Sequence, residues 1–263
     1  MNGYDTETSE INCQFSYPAF DDPLFAELKT IAAINIDPVA TELEKAKIII
    51  GYAHGLFNHD SYSQPSSIDP LTIIKEAQSG KSFRCVEYSL LATALLWAHG
   101  IPARMIGLKT SDVETRPEYA GHVMIEFWSD DFKKWVMCDV QAGLIITALG
   151  PAPLSALELG LAISQDKALD ALLVAGSKFG KSGAFKDTTA YKAWISEYLY
   201  FFDTPQAITF SDVNLQKQKI VMLVPLHVKS PKLFQNMFTM NALYTHSIPD
   251  FYPAFSFSGS TRA

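Results

Sequence analysis

Cysteine is scarce in this chain. Cys13, Cys85 and Cys138 are all there is among 263 residues, an odd and sparse set that makes no disulfide framework, and three reduced thiols is the simplest reading. No CxxC and no Cys/His pair has zinc-site spacing. Basic residues are outnumbered: 21 Lys and Arg against 28 Asp and Glu leave a net charge of −7. An acidic chain has no long-range attraction for a phosphate backbone, so no nucleic-acid partner is expected. Long apolar runs are missing, and none approaches the roughly 18 residues that would suggest a membrane span. The N-terminal "MNGYDTETSEINCQF" has neither a basic stretch nor an apolar one behind it, so it does not read as a signal peptide. The expected compartment is the cytoplasm, or a secreted or periplasmic one if a leader has been removed. Repeats, low-complexity tracts and obvious linkers are missing too.

What is present is ordinary globular material, 48% hydrophobic, with ample apolar residues for a sizeable core. Helices are expected at 21–35, 38–57 and 69–80, each with an apolar stripe or an Asp–Pro start. A further helix should run from Cys85 to His99, stopped by "GIP" (100–102). Strands follow at 103–108, 121–129 and 133–141, the last two joined by the turn "SDD" as an antiparallel hairpin. Beyond Gly150 the signals weaken. Residues 153–176 look helical, 176–183 read as a loop, and 191–202 are aromatic and ambiguous. Residues 207–213 and 219–228 read as strands, the second placed at an edge by Pro225, and the tail 247–263 reads as extended.

Strand alternation puts His122, Met124, Glu126 and Trp128 on one face of their strand, and Trp135, Met137 and Asp139 on one face of the next. With the two strands paired, His122 and Asp139 become candidate cross-strand neighbours. A helix starting at Cys85 and packed on that face would aim its thiol at His122. Each residue has a chemical use. A thiolate is the nucleophile, and a helix N-terminus with a nearby imidazolium stabilises it. A histidine can hold the proton and return it to a leaving amine. An aspartate on the far ring nitrogen fixes the tautomer.

The blocks "CVEYSLLATALLWAHGIPARMIG" and "GHVMIEFWSDDFKKWVMCDV", in that order, resemble the transglutaminase-like superfamily. The resemblance covers about residues 70 to 141. It implies an α+β, papain-like fold, with N-terminal helices packed on an antiparallel sheet and the nucleophile at a helix start. It further implies Cys85 as nucleophile, His122 as base and Asp139 as its orienter. Residues 1–263 are then expected to form one domain, with the catalytic core at 38–145 and an extension at 150–263 that wraps or extends it.

The implied activity is cysteine-dependent acyl transfer at a protein or peptide amide through a thioester, with water as the default acceptor and an amine as the other. A catalytically idle binding module of the same fold is the competing expectation. Tyr88, Arg116, Tyr119 and Glu126 are candidate cleft residues, Arg116 and Tyr119 through the polar loop 109–121. The structural reading of Glu126 is a pair with Arg104 on the neighbouring strand, and that of Glu87 is helix capping. No acidic loop has calcium-site spacing, so no cofactor or metal is expected. The sequence carries no sign of oligomeric state.

Overall fold

The computed structural model describes residues 3–9, 11, 13–148, 150–211, 214 and 216–255. Four helices come first. Asp22 caps α1 (Pro23–Ala32), whose proline sits where its missing N–H costs nothing. Thr41 and Glu44 form a reciprocal capping box at the head of α2 (Glu42–Leu56). Asp69 accepts from Thr72 N at 2.8 Å to start α3 (Pro70–Gln78). In α4 (Cys85–Ala98), every residue from Glu87 to Ala98 is buried. A helix apolar all round belongs at the centre of a core. Accordingly α1, α2 and α3 pack around α4, and β-strands cover its remaining side. Gly100, at φ +79, ends it where the sequence predicts.

The strands β1 (Ala103–Lys109), β2 (Gly121–Ser129) and β3 (Lys134–Cys138) form an antiparallel meander. Next come β4 (Leu144–Thr147), α5 (Ala156–Ser164), β5 (Asp170–Leu173) and α6 (Thr188–Ile195), which runs into a 3-10 turn at Ser196–Tyr198. The chain then forms β6 (Phe201–Pro205), β7 (Ile220–Leu223), β8 (Leu233–Phe234), β9 (Phe238–Thr239), β10 (Ala242–Thr245) and α7 (Ile248–Phe251). The main sheet has the order β10-β7-β6-β1-β2-β3, antiparallel throughout except between β10 and β7. The fold is α+β, helices on a mostly antiparallel sheet, as expected from the sequence.

The two faces of that sheet serve two cores. Ile125, Phe127, Val136 and Cys138 share the core built around α4. Ile106, Leu108, Met124 and Met137 face the other way, toward residues of α5, α6 and α7.

The second half departs from expectation in five places. Residues 153–176 are not one helix: Asp166 takes a left-handed conformation (φ +51) after α5, and 170–173 pair with β4 instead. The ambiguous stretch 191–202 divides into the end of α6, a 3-10 turn and the start of β6. The strand read at 207–213 lies earlier, at 201–205, with residues 212 and 213 outside the described set. Next, β7 is an interior strand between β10 and β6 and ends before Pro225, so the proline terminates it rather than marking an edge. Of the tail read as extended, 248–251 form a helical turn, and 256–263 lie outside the described residues.

Candidate active site

Cys85 is the first residue of α4. The turn before it is held from two sides. Phe83 N donates to Asn58 O at 3.2 Å, and Asp60 N donates to Phe83 O at 2.8 Å. The Arg84 N–H donates to Glu87 Oε2 at 3.1 Å, the capping role expected of Glu87. One turn into the helix, Ser89 Oγ donates to Val123 O at 3.1 Å and ties α4 to β2. Val123 adjoins His122, so the first turn of α4 overhangs the start of β2, where His122 is the second residue.

This corrects one expectation. The helix does not pack on the face of β2 that carries His122; it packs on the Ile125/Phe127 face. Cys85 approaches His122 at the strand's beginning, near enough to favour the charged form of the ring. Cys85 is half-buried, Cys138 is fully buried in the core, and all three thiols are free.

Asp139 follows β3 directly. Ile125 pairs with Cys138, and one further step of that register sets Asp139 opposite Met124. Asp139 is therefore the diagonal neighbour of His122 on the same face, not its direct opposite. The diagonal suffices: His122 Nε2 lies 2.9 Å from Asp139 Oδ2, with His122 4% exposed and Asp139 0%. The bond occupies Nε2, so Nδ1 is the ring nitrogen available to Cys85. Asp139 Oδ1 accepts from Ala142 N at 3.0 Å, and Oδ2 also accepts from Tyr191 Oη at 3.0 Å. The loop that supplies Ala142 closes at Gly143 (φ +74), whose N–H returns to Asp139 O at 2.8 Å.

Burial alone would strip the charge from His122, but the Asp139 carboxylate, its hydrogen bond and the adjacent Cys85 outweigh it, and the ring is pushed up to about 10. Burial likewise opposes the Asp139 carboxylate. The His122 charge, the His122 hydrogen bond, the Ala142 N–H and the Tyr191 hydroxyl nevertheless hold it below its ordinary value. Burial, then the Asp139 charge, drives the Cys138 thiol far above its ordinary value.

The remaining sequence candidates divide. Tyr88 is buried, donates to Phe57 O at 2.7 Å, and helps wall a 240 Å³ cavity together with His59 and Ala142. Arg116 pairs with Glu197 at 2.8 Å, beside Tyr198. Tyr119, 55% exposed, meets Tyr62 with the two hydroxyls 2.9 Å apart, joining loop 109–121 to loop 60–68. Glu126 is not a cleft residue. It is 0% exposed, paired with Arg104 at 2.8 Å, and accepts from Ala156 N and Tyr252 Oη. Four residues at about 3.3 Å each put it roughly 13 Å along the strand from His122. Its place is under α5, away from the thiol.

The sequence reading missed the aromatic cover. Trp194 stands edge-on to His122 at 4.8 Å and Tyr198 lies at 6.2 Å. With Tyr191 they mark positions 191, 194 and 198, one helical stripe inside the stretch that read as ambiguous. His59 was missed as well: burial and the His122 charge lower its titration, so it lies within the field of the site. Tyr191→Phe removes one hydrogen bond to a charged acceptor and keeps the ring. Turnover should fall about tenfold with the fold intact, which kcat and a thermal melt together would check. An unchanged kcat would make that hydroxyl a packing feature.

A cysteine at the start of a buried helix, with a histidine and an acid brought to it by an antiparallel sheet, is the layout of a cysteine-based enzyme fold. Residues 30–140 match the family described as the transglutaminase-like superfamily. Among solved structures, a crystal structure described as a proposed cysteine protease from Cytophaga hutchinsonii matches with 20% identity and a TM-score of 0.36. The match covers 44% of this chain and 37% of that one. No curated protein matches the chain. No helix among the described residues is long and apolar enough to cross a membrane.

Proposed function

We propose that the protein is a cysteine-dependent acyl-transfer enzyme acting on a protein or peptide amide, with water as the default acceptor. The observation that supports this reading is the buried His122, bonded to the Asp139 carboxylate at 2.9 Å, with the half-exposed Cys85 near enough to favour its charged form. The Cys85 thiolate attacks the amide carbon: the S–C bond forms and the carbonyl π pair moves to oxygen. The backbone N–H of Cys85, a first-turn donor with no partner inside its own helix, faces that oxyanion. The pair collapses back, the C–N bond breaks, and His122 gives its proton to the leaving amine. A thioester remains. Water, deprotonated by His122, attacks it, the S–C bond breaks and the acid departs. An amine in place of water gives transfer. Asp139 keeps the ring oriented throughout, and residues 150–263 belong to the same working unit because they supply Tyr191, Trp194 and Tyr198.

Iodoacetamide at pH 6 tests this reading. Cys85 should be alkylated at least about tenfold faster than Cys13 or Cys138, followed by peptide mass spectrometry. Burial, then the Asp250 charge, raises the Cys13 thiol, and Cys138 is buried and raised further, so neither competes. A folded protein whose Cys85 reacts no faster than Cys13 would instead be an idle binding module.

A further inference from the structure

A cavity of about 530 Å³ opens beside Cys85, within the size range of small-molecule sites. Arg84 and Val86, the chain neighbours of Cys85, line it, and so does Val123, the neighbour of His122. Resting on the acyl-transfer reading above, we propose that this cavity receives a large uncharged side chain of the substrate, on the acyl side of the scissile amide.

The side follows from the pleat of β2. His122 must face the leaving nitrogen to protonate it. The cavity opens on the Val123 side of the strand, the face opposite to that of His122. What lies there is the part of the substrate that stays on sulfur.

The chemistry follows from the walls. Met105, Phe234, Phe238 and Met240 give an apolar surface, with Phe234 and Phe238 stacked at 5.4 Å. Gln64, Gln218 and Asn241 add neutral amides. The charged groups at the cavity are matched in pairs. Arg84 is bound to Glu87, and Lys109 to Asp203. Gly107 makes the second pair possible, because a Cβ there would stand 2.6 Å from Asp203 Oδ2. With both pairs closed, a charged side chain would lose its water and find no unmatched partner. An apolar or aromatic one gains burial.

The test uses the full-length protein and N-acetyl aminoacyl chloromethyl ketones of phenylalanine, leucine, alanine, aspartate and lysine, with iodoacetamide as reference. In each ketone the thiolate forms an S–C bond as C–Cl breaks and chloride leaves, so the rate reports how the side chain is received without requiring turnover. The phenylalanine and leucine reagents should alkylate Cys85 at least about tenfold faster than the alanine reagent, and the aspartate and lysine reagents no faster than alanine. Phe238→Ala, which removes a wall, and Met240→Trp, which fills the space, should each reduce that preference while the iodoacetamide rate stays within about twofold. Equal rates across the panel, a preference for a charged reagent, or a preference unchanged in both variants would overturn the proposal. If Cys85 is fast with iodoacetamide but indifferent to side chain, only the cavity assignment falls. If it is slow with iodoacetamide, the acyl-transfer reading falls and takes this one with it. A variant that loses iodoacetamide reactivity has lost its fold, and the wild-type preference and the other variant then decide.

Discussion

Asp139→Asn is expected to leave the protein folded and to cut turnover roughly 100- to 10,000-fold. The asparagine oxygen can still accept from Ala142 N in the place of Oδ1, while the amide nitrogen in the place of Oδ2 can donate to Tyr191 Oη, so the fold keeps its local hydrogen bonds. What asparagine cannot supply is the negative charge that keeps a buried His122 protonated against desolvation. The same loss has a pH signature. His122 is raised from 6.5 to about 10 in the folded protein, so its contribution to stability is complete below 6.5 and is lost as pH rises through about 10. Asp139 is lowered from 3.8, so its contribution is present above that value and is lost as pH falls through the folded value. The two are one interaction seen from both ends and count once. The difference in urea midpoint between wild type and variant should therefore be greatest between about pH 4 and 6.5 and should fade toward pH 10. Wild-type turnover in the variant, with a difference flat across that range, would reduce Asp139 to a packing residue.

How much of this site could be read beforehand depended on what kind of signal each part carries. The Asp caps and prolines of α1 and α3, the Gly100 stop and the "SDD" turn are local chemistry, and the elements they delimit stand where the sequence puts them, within the usual terminal drift. Strand alternation correctly set His122 and Asp139 on a common face. The docking of α4 was not legible for a physical reason: a helix buried on every side has no stripe to say which face of a sheet it meets. Hence the thiol was expected over the His122 face, whereas it comes to the ring from the strand's beginning. Glu126 shares that face too, but alternation says nothing of distance along a strand. Tyr191 is farther from sequence logic still. It lies 52 positions from the carboxylate it bonds, in an aromatic run whose division into helix, turn and strand is decided by the sheet it joins. The strand at 170–173 was lost to the same cause, since "DALL" reads as helix until β4 is beside it.

Arg104→Met is expected to lower the unfolding free energy by about 3–5 kcal/mol, among the largest effects a single change should have here. Arg104 and Glu126 sit directly opposite each other in the β1–β2 ladder, 1% and 0% exposed. The guanidinium donates twice to Glu126 Oε2, at 3.1 and 2.8 Å, and once to Phe251 O at 2.8 Å. It also lies over the rings of Trp135, Tyr252 and Phe251, at 4.4, 4.8 and 5.2 Å from their centroids. Glu126 Oε1 in turn accepts from Ala156 N, at the head of α5, and from Tyr252 Oη. One ion pair thus fastens the central strands to α5 and to α7 and the residue that follows it. Methionine fills much of the same volume against the rings, so the loss comes chiefly from a buried carboxylate deprived of its cation. That assignment makes a second expectation. In Arg104→Met/Glu126→Gln the charge is gone, and the amide oxygen can still serve Ala156 N and Tyr252 Oη, so at least half of the lost stability should return. Urea unfolding of the four proteins closes the cycle. Iodoacetamide alkylation of Cys85, remote from this pair, should run at the wild-type rate in every folded variant. A single-variant loss below about 1 kcal/mol, or a double variant no better than Arg104→Met, would show that the pair is not what holds β1, β2 and α5 together.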